Sequence, residues 1–70
     1  MKHVEIDLHG LRHSEVEAIL ANEFFWKNVK TAEVITGNSV KMKKIVKRWF
    51  NENNMNYVEY LHKASFLVNH

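Results

Sequence analysis

The chain has 70 residues, a formal net charge of +2 with its histidines neutral, no cysteine and no proline. That length suits one small domain, which buries only about 60% of the surface its unfolded chain exposes, and the missing cysteines exclude disulfides and thiolate metal sites. No apolar run approaches the roughly 20 residues of a membrane span, and the acids Glu5 and Asp7 come too early for a signal peptide, so a cytoplasmic domain without membrane attachment is expected.

Residues 3–9 alternate, with Val4, Ile6 and Leu8 on one face and Glu5, Asp7 and His9 on the other. This is the period of a strand covered on one side, and it directs the Asp7 and His9 side chains the same way. Gly10 then permits a sharp turn. Ser14-Glu15-Val16-Glu17 reads as a capping box. It opens a helix expected to run to about Lys27, with Val16, Ile19, Leu20 and Phe24 as the buried stripe. Phe25 and Trp26 fall off that stripe and are expected to pack against a strand edge or a loop. For Trp26, base stacking or a protein contact is the alternative.

Residues 31–36 form a second strand, ended by Gly37. Ser39 is the expected N-cap of a second helix, whose apolar stripe is Met42, Ile45, Val46, Trp49 and Phe50. Packing outranks base stacking for Trp49 and Phe50. The helix stops in Asn51-Glu52-Asn53-Asn54, where asparagine can take the left-handed conformation. Residues 56–69 are rich in β-formers. The weak turn His62-Lys63-Ala64-Ser65 divides them into two antiparallel strands, one long bent strand being the alternative. Glu5 and Glu59 are expected to face solvent.

The order β-α-β-α-β-β predicts an α/β (α+β) two-layer sandwich with a mixed four-stranded sheet. Right-handed crossovers put both helices on one face, so Glu5, Asp7 and His9 look out from the other. The first two strands run parallel, which brings Gly10 and Gly37 to the same sheet edge. The second connection presents the amino end of a helix, where backbone N–H groups and the dipole favour an anion. Lys41 in its first turn is unfavourable for that dipole, and a bound phosphate explains it. Lys41, Lys43, Lys44, Lys47 and Arg48 follow one another with no acid between them. Such a cluster is either a solvated helix face or the footprint of nucleic acid.

The candidate site is therefore Asp7 and His9 for chemistry, with Gly10, Arg12, Thr36, Gly37, Asn38, Ser39, Lys41 and Lys44 for phosphate. His9 can act as general base on water or a ribose 2′-hydroxyl, or as acid to the leaving oxygen. Asp7 can orient a partner, hold the imidazolium, or hold Mg²⁺ or Mn²⁺ together with phosphate oxygens. His9, His13 and His62 do not share a helix face, which argues against structural zinc.

These residues resemble a known family. Ile6-Asp7-Leu8-His9-Gly10-Leu11, followed by a helix bearing Glu17-Ala18, resembles the LDLHG motif of the Smr (small MutS-related) domain. Val34-Ile35-Thr36-Gly37-Asn38-Ser39 resembles its second motif, written HGxG or TGxG. Lys44, Val46 and Trp49-Phe50 resemble the basic, apolar helix that follows. The likeness covers nearly the whole chain and implies a nuclease-like domain that nicks DNA or cleaves RNA. It matches Asp7 and His9 to the family's acid and histidine, and Thr36 and Gly37 to the start of the second motif. Ser39 stands where a second glycine is expected, and Lys63-Ala64-Ser65 where a Gly-rich loop usually precedes the final strand. Three readings stay open: an endonuclease, a nucleic-acid-binding module without turnover, and a protein-interaction domain of the same fold. Trp26 and Tyr60 are candidate contacts for a homodimer or a protein partner.

Overall fold

The computed structural model describes residues 3–69. Met1 and Lys2, which belong to the N-terminal segment read above, lie outside the described residues. The elements are β1 (His3–Asp7), α1 (His13–Ala21) continued by a π turn (Asn22–Trp26), β2 (Thr31–Ile35), α2 (Val40–Glu52), β3 (Asn56–Tyr60), a 3-10 turn (Leu61–Lys63) and β4 (Ser65–Asn69). The strands lie in the order β1-β2-β4-β3, with β1 and β2 parallel and the other two pairings antiparallel. This is the mixed four-stranded sheet and pair of helices expected from the chain order. The break between β3 and β4 falls at the weak turn, where Ala64 takes φ +51°.

The pleat divides the sheet into two faces. Ile6, Val34 and Phe66 share one inward row, and Ala32 and Val68 another, all of them buried. Both helices pack on that side. Val16, Leu20 and Phe24 of the first helical segment and Met42, Val46, Trp49 and Phe50 of α2 are buried as their spacing predicts, with Ile19 and Ile45 partly so. The Phe24 and Trp49 rings meet at 6.1 Å, joining the helices to each other. Phe50 sits among the rings of Trp49, Tyr57 and Phe66 at 5.2–6.1 Å.

Four local expectations are corrected. First, α1 begins at His13, not after Ser14. Arg12 is its extended N-cap residue, and its backbone N–H donates to Glu15 Oε1 at 3.3 Å. A guanidinium has no acceptor, so the reciprocal half of a capping box is missing. Second, the helix reaches Trp26, but its last turn is a π turn. Lys27 N–H donates to Asn22 O, five residues back, at 3.0 Å. Phe24 stays in the core, while Phe25 lies half-exposed against Trp49 at 5.6 Å.

Third, Trp26 does not pack on a strand edge: it is 85% exposed. Fourth, Glu59 does not face open solvent. It shares the inward face with Tyr57 and lies 2.8 Å from Lys47 Nζ and 3.8 Å from Lys43 Nζ.

The Glu59 hydrogen bond holds the Lys47 ammonium above its ordinary value of 10.5. A raised folded pKa gives a contribution that is fully present below the unfolded value and lost as pH rises through the folded one. Glu59→Gln is therefore expected to lower the urea midpoint at neutral pH, and to make progressively less difference above pH 10.5. A gap between the two proteins that persists undiminished in that alkaline range would remove the ion pair from the stability.

Candidate nucleic-acid interface

Three connections meet at the edge where β1 and β2 end. Leu8, fully buried, donates its N–H to Ile35 O at 2.8 Å and holds β1 against β2. The strand stops at Asp7, two residues earlier than the alternation suggests. Asp7 Oδ1 accepts the His9 backbone N–H at 2.9 Å, an aspartate turn that takes this amide out of the ladder. His9 thus lies just past the end of the hydrogen-bonded strand. Asp7 positions His9 through the backbone.

The His9 ring comes to rest on the second connection. A Cβ built on Gly37 would lie 3.0 Å from His9 Cδ2, so the absence of a side chain there is what admits the ring. Gly37 also has φ +71° and Gly10 φ +83°, but nothing lies within 4 Å of a Cβ built on Gly10. The two glycines therefore separate strain from contact. Gly10→Ala and Gly37→Ala should each cost about 1–2 kcal/mol of stability from left-handed backbone. Only Gly37→Ala should move the His9 ring resonances in an NMR spectrum. Equal movement in both variants would show that Gly37 does not seat the ring.

The third connection is the turn between β3 and β4. Ala64 O accepts from Thr36 N at 3.0 Å, Gly37 N at 3.2 Å and Thr36 Oγ1 at 3.1 Å. Thr36 is only 2% exposed, and its hydroxyl also lies 3.0 Å from Gly37 O. Thr36 thus fastens the second connection to the third and presents no free hydroxyl. Thr36 and Gly37, expected among the phosphate-binding residues, have their backbone donors taken by Ala64. Ser39 Oγ accepts from Met42 N at 3.1 Å, the N-cap expected of it. Val40 and Lys41 are the first-turn donors of α2 that an α-helix leaves without an internal acceptor.

Ala64 was not singled out from the sequence. It stood only within a short polar turn and in the place of a Gly-rich loop of the resembled family, neither of which reveals a carbonyl accepting three donors. Asn38, Gly10, Arg12, Lys41 and Lys44 are exposed at or near this edge. The basic cluster is divided. Lys43 and Lys47 turn inward to Glu59, whereas Lys41, Lys44 and Arg48 stand exposed at helical spacing on the outer face of α2. Arg48 lies 4.0 Å from Glu17 of α1, both largely exposed, so that pair contributes little.

No family model, no curated protein and no solved structure matches the chain. Among the described residues no group of three or more histidines and carboxylates is placed to hold a metal ion. Asp7 offers a single carboxylate, one oxygen of which is engaged with His9 N–H. A donor set of that kind suits Mg²⁺ or Mn²⁺ only when substrate phosphate and water complete the shell, as Mg²⁺ commonly allows.

Proposed function

We propose that the chain is a nucleic-acid-binding domain that cleaves phosphodiester bonds, with His9 as the proton-transferring group. The observation that carries this is the His9 ring seated on Gly37, between two backbone turns and beside the start of the basic helix. The likeness of Asp7-Leu8-His9-Gly10 and Thr36-Gly37 to the Smr motifs supports it. Phosphate would approach from the α2 side, because Glu5 and Asp7 make the β1 end of the open sheet face acidic. Lys41 and Arg12 would neutralise it. On RNA, His9 takes the 2′-hydroxyl proton as O2′ bonds to phosphorus. The bond from phosphorus to the 5′ oxygen breaks, and that oxygen takes a proton from solvent. On DNA, water replaces the 2′-hydroxyl. Asp7 keeps His9 in place in both cases, and when bound a divalent ion would supply charge neutralisation.

A second reading has its own observation. Thr36 and Gly37 give their donors to Ala64, leaving fewer groups for the charge that builds on a phosphorane, which favours a module that binds without cutting. A cytoplasmic setting fits a chain without cysteine. Among the described residues no helix is long and apolar enough to cross a membrane.

The test is incubation of the full chain with single-stranded RNA and with supercoiled DNA, in Mg²⁺, Mn²⁺ or chelator, alongside a salt titration of binding. Cuts support the nuclease, and its metal dependence is read directly. Tight, salt-sensitive binding without cuts selects the binding module. Weak binding that does not change with salt would sink both, because phosphate contacts make affinity fall steeply with salt.

A further inference from the structure

The outward face of the sheet is divided by charge. Its residues form cross-strand rows: Glu5, Glu33, Leu67 and Val58 in one, Asp7, Ile35, Ser65 and Tyr60 in the next. The carboxylates of both rows belong to β1 and β2. Outward residues of β3 and β4 carry none, and Glu59, the one acid of those strands, is turned inward to Lys43 and Lys47. Ser65 marks the boundary, its buried hydroxyl donating to Glu33 at 2.8 Å.

The uncharged half has the features of a platform for flat aromatic ligands. Tyr60 lies in its row beside the turn, with Lys63 Nζ 5.7 Å over its ring and the His62 ring edge-on at 6.3 Å. Further along, Val58, 56% exposed, and Leu67 help line a shallow hollow of about 310 Å³. Thr31, Asn56, Tyr57 and Asn69 complete it. An apolar lining beside side-chain amides, each with a donor and an acceptor, suits a group with a hydrophobic face and a hydrogen-bonding edge. Unpaired nucleobases have that chemistry and are recognised by stacking and by their open edges.

We propose that the β3–β4 half of the sheet face binds unpaired bases of a strand whose phosphate is held at the His9 edge. This rests on the nucleic-acid reading above and narrows its substrate to single strands. Asp7 and Tyr60 occupy the ends of one row, three strand spacings or about 14 Å apart. Lys63, over the Tyr60 ring, is placed for the strand's backbone at that end of the row. A duplex has no unstacked base face or free Watson–Crick edge to offer this platform.

The test is fluorescence anisotropy of the full chain with labelled polyuridine, polythymidine of equal length, and a hairpin duplex. Tyr60→Ala is expected to weaken binding of the single strands about 5- to 150-fold, the contribution of one stacked base. The slope of affinity against salt should not change, since no phosphate contact is lost, and duplex binding should be untouched. Tyr60→Phe should restore the wild-type value. Val58→Asp, which adds a carboxylate to the platform without touching the ring, should weaken the same probes. It decides the matter if circular dichroism finds Tyr60→Ala unfolded. Whichever of polyuridine and polythymidine loses more affinity identifies the source of the bases. Wild-type affinity in both folded variants, or equal loss on single strands and duplex, would overturn the platform alone. A wild-type chain that binds none of the probes overturns the nucleic-acid reading and the platform with it.

Discussion

His9→Ala is expected to lower the rate of phosphodiester cleavage by about 10²–10⁴-fold, the usual worth of a positioned general acid or base. The ring is exposed and outside the packed core, so its removal should leave the urea midpoint unchanged. Binding should also persist, because the cations of Arg12, Lys41 and Lys44 remain. The expected signature is therefore a loss of rate without a loss of affinity or stability. Exposure supplies a second readout: free imidazole can diffuse to the vacated position and restore part of the rate, which a merely structural role would not allow. Initial rates on single-stranded RNA and supercoiled DNA, with and without imidazole, give the answer. Equal cleavage by the two proteins would remove His9 from the chemistry.

Phe50→Ala is expected to remove roughly a third or more of the chain's stability. A chain of this size has roughly 4–10 kcal/mol of stability in total, at about 0.05–0.15 kcal/mol per residue. Removing a fully buried phenylalanine costs about 3–5 kcal/mol, because the transfer energy of the ring is lost and a cavity remains. Phe50 is an unfavourable place for such a loss. Its ring touches Trp49 within its own helix, Tyr57 on β3 and Phe66 on β4. Its carbonyl also accepts from Met55 N at 2.9 Å, closing the turn after α2. Three elements lose packing together, so collapse around the cavity is restricted. Urea denaturation followed by circular dichroism measures the effect, and a loss of under about 1 kcal/mol, as for a surface site, would contradict this account of the core.

Periodicity carried most of the fold. Ile6, Leu8, Ala32, Val34, Phe66 and Val68 alternate as strands must, and Met42, Val46, Trp49 and Phe50 repeat as a helix must, so the elements and their buried faces could be read before any contact was known. What escaped was decided by single hydrogen bonds and single turns. Alternation runs on through Leu8 and His9, yet the strand ends at Asp7 because a side-chain oxygen takes the His9 amide. Helical spacing also runs on through Phe24, yet one widened turn leaves Trp26 in solvent. Glu59 alternates like an outward residue only if β3 is read by its polarity, and two lysines from another element reverse that preference. At the candidate site, Asp7, His9, Gly10 and Gly37 were visible as residues with special backbone or chemistry. Ala64 was not, because its contribution is a carbonyl, which every residue has.

The place of β4 has a consequence for how the site comes into being. This strand follows both of its neighbours in the chain, yet it lies between them in the sheet. Until residues 65–69 are inserted, β2 lacks a partner on one side and β3 lacks one altogether. The carbonyl that gathers Thr36 and Gly37 belongs to the residue just before that strand. Without residues 65–69 the sheet is therefore incomplete, and Ala64 is not held against Thr36 and Gly37. Completion of the sheet and assembly of the site thus depend on the same five-residue strand.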